Sequence, residues 1–211
     1  MSAKLLITRH GESEWNALGV WTGTTDVHLS EKGFLEAQLL GESIKNIKLD
    51  FAYCSQQIRS LETLETMLDA SGQITLPFER SSAINERDYG IFTGQNKWQV
   101  QERVGEEAFE KLRRGWNEPV PEGETLKDVY ERVVAFFKEH VLPKLRDNQT
   151  VLLVAHGNSI RSLIKYIESV TDEDISKVEM IFGETLIYTV DEQGKKLTKE
   201  VIKINTTPPP A

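Results

Sequence analysis

The stretch TVLLVAHGNS, residues 150–159, passes through five consecutive apolar residues before it meets His156. A strand without polar alternation has to be covered on both faces, as the central strands of parallel sheets are. Gly157 then opens GNSIRSLIKYIES, whose apolar residues recur at helical spacing. The same order of strand, histidine and glycine stands near the N-terminus. There LLITRHGESEWN, residues 5–16, ends an apolar run on Arg9 and His10 just ahead of Gly11. Taken singly, each is also readable as a strand whose polar end reaches water. The repetition favours a shared crevice, because ligands of open α/β sheets lie beyond the carboxyl ends of the strands. A glycine there lets backbone N–H groups come close to a ligand, and a helix N-terminus favours an anion.

Outward from these two strands the chain alternates. SEKGFLEAQLLGESIKNI predicts a helix with Phe34, Leu35, Leu39, Leu40 and Ile44 on its apolar stripe. DFAYCS predicts a short strand, followed by a helix through QQIRSLETLETMLDAS that Gly72 closes. Residues 75–123 read as irregular, with helical pieces at KWQVQERV and EEAFEKLRRGW. Thr125 and Asp128 form a capping-box pattern for a long helix carrying Val129, Val133, Phe136 and Phe137. ETLIYTV and KLTKEVIKI predict a hairpin across DEQGK, and the proline-rich NTTPPPA reads as a mobile tail. The expectation is one α/β domain over residues 1–204, a three-layer α/β/α sandwich on a mainly parallel sheet, with residues 205–211 as the tail.

Composition limits the function. The 211 residues carry a net charge of -8, which argues against nucleic acid as a partner. An anionic ligand would therefore need a local basic cluster. No apolar run is long enough for a transmembrane helix, MSAKLLITRH does not read as a signal peptide, and no membrane partner is expected. Cys54 is the only cysteine, which excludes internal disulfides and suits a cytoplasmic location. The motifs of zinc proteases, serine hydrolases, P-loop proteins and dinucleotide-binding folds are all missing. Phosphoryl transfer suits two histidines and an arginine better. It asks mainly for positive charge around the transferring oxygens, with a neutral histidine as nucleophile and cations as a clamp.

The residues also carry a resemblance. RHGESEWN, WTGTTD, LSEKG, NERDYG, TGQNK, RRGW, PEGETLKD and AHGNSIR stand in the order and spacing of the cofactor-dependent phosphoglycerate mutases, within the histidine phosphatase superfamily. The likeness covers about residues 3–191, and the segment between Arg114 and Gly123 resembles the family's compact members. It implies that His10 is the phosphohistidine nucleophile, that Arg9, Arg59 and His156 hold the phosphoryl group, and that Glu86 moves the proton. It further implies substrate contacts from Ser13, Asn16, Thr22 and Gly23, and from Tyr89, Lys97, Arg113, Arg114, Gly157 and Asn158. The implied reaction interconverts 3-phosphoglycerate and 2-phosphoglycerate, a step of glycolysis and gluconeogenesis. It would be primed by 2,3-bisphosphoglycerate without a metal, in a monomer or a homodimer.

Plainer readings stand beside these. Arg59 and KLRRG could be solvated helix residues, Glu86 a surface turn, and Trp15, Trp21, Trp98 and Trp116 packing. Three residues depart from the family pattern: Thr24, Ser60 and Asp88. A phosphate-monoester phosphatase of the same superfamily is the rival enzyme, and a phospho-ligand binding protein the rival non-enzyme. Lys97 with Arg113 and Arg114 favours the mutase, because releasing phosphate to water needs no grip on a second anionic end.

Overall fold

In the computed structural model, which describes residues 3–204, the strands are β1 (Leu5–Arg9), β2 (Phe51–Ser55), β3 (Phe78–Ser81), β4 (Val151–Ala155), β5 (Glu184–Val190) and β6 (Lys196–Lys203). They form one sheet in the order β3-β2-β4-β1-β5-β6. The β3–β2, β2–β4 and β4–β1 pairs are parallel, while β5 and β6 add an antiparallel hairpin. The helices are α1 (Glu14–Ala17), α2 (Glu31–Ile44), α3 (Ile58–Ala70), α4 (Lys97–Val104), α5 (Glu106–Arg114), α6 (Leu126–Phe136), α7 (Leu142–Arg146) and α8 (Gly157–Glu168).

The apolar run of β4 divides between the two faces as the pleat requires. Val151, Leu153 and Ala155 join Leu5 and Ile7 of β1 in a core with α6 and α8. Leu152 and Val154 join Leu6 in a second core with α2 and α3. Register then places the histidines. Leu5 pairs with Val151 and Arg9 with Ala155, so both strands end on the same rung. The His10 N–H donates to the Ala155 carbonyl at 3.0 Å, and His156 is the next residue.

Most expected elements are present, including both halves of the capping box at Thr125 and Asp128 and the left-handed Gly72 after α3. Two expectations are corrected. Of the expected stripe, Leu40 and Ile44 are buried and Leu39 half-buried, but Phe34 and Leu35 are exposed, and α2 buries Gly33, Glu36, Ala37 and Gly41 in their place. The cause is close backbone approach, which hydropathy does not register. A Cβ on Gly33 would lie 2.0 Å from the Glu12 carbonyl oxygen, and one on Gly41 would lie 2.5 Å from that of Met67. The second correction is β3, an edge strand inside the segment read as irregular. Its side chains are mostly exposed, so it carries no buried pattern. The tail expected at residues 205–211 lies outside the described residues.

Candidate active site

His10 and His156 meet at the carboxyl ends of β1 and β4 with ring centroids 4.8 Å apart, both buried. His10 Nδ1 lies 2.7 Å from the Gly11 carbonyl oxygen. A carbonyl only accepts, so Nδ1 carries the proton and Nε2 keeps its lone pair. His156 Nε2 lies 2.7 Å from Ser55 Oγ, which also accepts the Gln57 N–H. His156 Nδ1 is buried and has no hydrogen-bond partner among the described residues. Burial first, and then the Arg59 charge, hold both imidazoles well below their usual pKa. Both rings are neutral at neutral pH.

Two buried guanidinium groups flank the histidines. Arg59, the second residue of α3, donates to the carbonyls of Thr25 and Gly23, both at 2.9 Å. Arg9 donates to the Met180 carbonyl at 3.1 Å and lies 3.9 Å over the ring of Phe182. Among the described residues neither has a carboxylate within ion-pair distance. The Nε atoms of both arginines and the Thr22 hydroxyl are buried without a protein partner. Uncompensated buried charge is expensive. Here it marks a place built for an anion from outside the chain.

Glu86 is held opposite. Its Oε1 accepts from the backbone N–H of Arg87 at 2.7 Å and from both the backbone and side-chain amides of Asn158, at 3.2 and 3.0 Å. Its own N–H donates to the buried Gln57 amide oxygen at 2.7 Å. From behind, Arg132 of α6 donates to the Glu86 carbonyl and pairs with Glu124. Oε1 thus receives three N–H donors, while Oε2, the oxygen nearer Gly157, has no hydrogen bond among the described residues.

The site divides into two chambers. An inner one of about 60 Å³ is bordered by His10, Asn16, Thr22, Gly23 and Arg59. An outer one of about 220 Å³ is bordered by Arg113, Arg114, Gly157, Asn158 and Arg161, with Glu179 and Met180 on its far wall. Arg9, Trp21, Glu86, Tyr89 and Lys97 border both. Burial, and then the charges of Arg9 and Arg113, lower the Lys97 pKa to about 8.

Apart from His156 and Ser13, every expected site residue borders one chamber or the other, and His156 stands beside His10 without bordering either. Ser13 is the correction. It lines neither chamber, because its hydroxyl caps α1, accepting the Asn16 N–H at 3.2 Å and donating to the Asn16 side-chain oxygen at 2.8 Å. The two arginines also differ. Arg114 is tied to Glu179 and lies 3.4 Å from Glu110, whereas Arg113 approaches only Glu110, at 3.9 Å. Of the departures, Asp88 lies outside both chambers and accepts the Gly90 N–H at 2.8 Å. Thr24 is exposed, and Ser60 donates to the Val154 carbonyl at 2.8 Å, tying α3 to β4. Sequence reasoning missed Gln57, Arg161 and the wall at Val178–Phe182. Arg161 donates to the Asn158 side-chain oxygen at 3.0 Å and to the Val178 carbonyl at 3.0 Å, joining that wall to the site.

The sequence model for the histidine phosphatase superfamily (branch 1) matches residues 5–204. The chain belongs to this superfamily. Among curated superfamily proteins, the 2,3-bisphosphoglycerate-dependent phosphoglycerate mutase 2 of Latilactobacillus sakei is 39% identical, over 94% of this chain and 98% of its own. The phosphoglycerate mutase of Schizosaccharomyces pombe is 40% identical, over 94% and 95%. Among solved superfamily structures, Bacillus stearothermophilus YhfR superposes with a TM-score of 0.81 at 25% identity, covering 92% of this chain and 94% of that one. A phosphoglycerate mutase from Bacillus anthracis gives 0.73 at 26%, covering 96% and 92%.

Proposed function

We propose that this chain is a 2,3-bisphosphoglycerate-dependent phosphoglycerate mutase. The observation that carries the reading is the paired architecture: a nucleophilic chamber around His10 opening into a second cationic chamber at Lys97 and Arg113. The curated relatives that bear this name support it. Arg9, Arg59, Thr22 and His156 would hold the transferring phosphoryl group with the donors the protein leaves unpaired. His10 Nε2 attacks phosphorus as the bond to the leaving oxygen breaks, and Glu86 Oε2 supplies the proton that oxygen needs. In the return step Glu86 removes the proton of the accepting hydroxyl, which attacks the phosphohistidine and frees His10. Lys97 and Arg113 retain the bisphosphorylated intermediate while it turns over. The reading calls for no metal, and it places the protein in glycolysis, in the cytoplasm.

The deciding experiment is an enolase-coupled assay with and without 2,3-bisphosphoglycerate. Turnover should depend on the primer. Phosphate release from phosphate monoesters without isomerisation would move the phosphatase reading ahead.

Two predictions follow from the outer chamber. Arg113→Ala should weaken retention of the bisphosphate roughly 10- to 100-fold, the value of a charge-assisted hydrogen bond. The ratio of phosphatase to mutase activity should rise with it. Arg114→Ala should shift that ratio less, because Glu110 and Glu179 already share its charge. Equal ratios in both variants and wild type would reduce this pair to a solvated helix end.

Lys97 gives a pH signature. With its pKa at about 8 in the free protein, the ammonium loses its proton as pH rises through that value. An anionic ligand restores the charge, so binding takes up a proton and affinity falls above pH 8. Calorimetry in buffers of different ionisation enthalpy should detect that uptake, and Lys97→Met should abolish it. An unchanged uptake in the variant assigns the proton to another group.

A further inference from the structure

We propose that Trp21 is a substrate-binding residue whose indole N–H donates to an oxygen lying between the two anionic ends of a phosphoglycerate. The proposal rests on the mutase reading and deepens it.

Trp21 is one of the five residues that border both chambers, so it stands where a ligand spanning them must pass. It is 1% exposed, and its Nε1 has no hydrogen-bond partner among the described residues. Leaving a buried donor unpaired is costly, and such a group calls for an explanation. Its backbone needs are already met, since its N–H donates to the Gln95 carbonyl at 3.0 Å and its carbonyl accepts the Gly94 N–H at 2.9 Å. The indole is also fixed in place, edge-on to Tyr89 with centroids 4.2 Å apart and to Phe109 at 6.0 Å.

Its neighbours at the junction have other tasks. Glu86 Oε1 is held by three N–H donors, and the Tyr89 hydroxyl accepts from Asn158 at 2.8 Å. Arg9 and Lys97 supply charge and several donors each, whereas a rigid indole supplies one hydrogen bond in one direction. Inorganic phosphate would need only the inner chamber, of about 60 Å³. A phosphoglycerate carries its carboxylate and hydroxyl oxygens across the junction. Trp21 would therefore separate these ligands.

The test compares the full-length wild-type protein with Trp21→Phe, which keeps an aromatic ring against Tyr89 and removes the N–H. Calorimetry would measure binding of 3-phosphoglycerate and, separately, of orthovanadate. The expected result is roughly 10- to 100-fold weaker 3-phosphoglycerate binding, with vanadate within about twofold of wild type. Loss of neither overturns the proposal and leaves Trp21 as packing. Equal loss of both also overturns it, because Trp21 would then be shaping the inner chamber alone. Should Trp21→Phe fold poorly, the wild-type protein provides a second measurement. The ¹⁵N-labelled indole N–H of Trp21 should shift and become protected from exchange on adding 3-phosphoglycerate, and an unmoved signal overturns the proposal. Failure of the enolase-coupled assay would sink the mutase reading separately, since these measurements need binding only. Wild-type protein that binds no phosphoglycerate overturns both.

Discussion

His10→Ala should abolish turnover, with a loss on the order of 10⁴-fold or more, as expected when a nucleophile is removed. Wild-type protein incubated with 2,3-bisphosphoglycerate should gain one phosphoryl group that is labile in acid and stable in base. The reason lies in the tautomer. The Gly11 carbonyl fixes the proton on Nδ1, so the nitrogen that attacks is Nε2. A neutral ring held between two uncompensated guanidinium groups is ready to attack without first losing a proton. The variant should fold normally, because the bond that ties residue 10 to β4 is made by its backbone N–H. Mass spectrometry of the intact protein and of its peptides checks the result. Phosphate on His156 or on a serine would overturn the assignment.

Glu86→Gln should lower mutase turnover by ~10²–10⁴-fold, the usual contribution of a positioned acid–base group. The substitution is close to isosteric. A Gln side-chain oxygen can still receive the three N–H donors that hold Oε1, so the loop and the fold should survive. An amide in the place of Oε2 cannot carry a proton between oxygens. The loss should therefore depend on the leaving group. With para-nitrophenyl phosphate, whose leaving oxygen needs no protonation, His10 should still be phosphorylated at close to the wild-type rate. Rapid-quench measurement with both donors checks this, and an equal loss with both would give Glu86 a binding role alone.

Much of this site was legible in the sequence because its parts carry local marks. Two apolar strands ending in histidine and glycine imply a crevice, and register brings the two ends to one rung. Other parts carry no such mark. The wall at Val178–Phe182 works through the main-chain carbonyls of Val178 and Met180, which any residue would offer. Ser13 has the hydroxyl a pocket would use, but a helix cap needs the same group, and only the fold decides between them. Phe34 and Leu35 fit a helical stripe, yet α2 packs through Gly33 and Gly41, whose contribution is a missing side chain. Trp21 is both packing and border, and sequence reading saw only the first.

The register of β1 and β4 also divides the molecule in time. The His10 amide is part of the central ladder, so its hydrogen should exchange with solvent only when the whole sheet comes apart. The outer chamber is tethered more lightly. α4 buries only Val100 and α5 only Phe109 and Leu112, so these helices should open at a fraction of the global unfolding free energy. Bond making thus takes place against the least yielding part of the protein. The part that borders the bound intermediate can give way for an instant and let it turn.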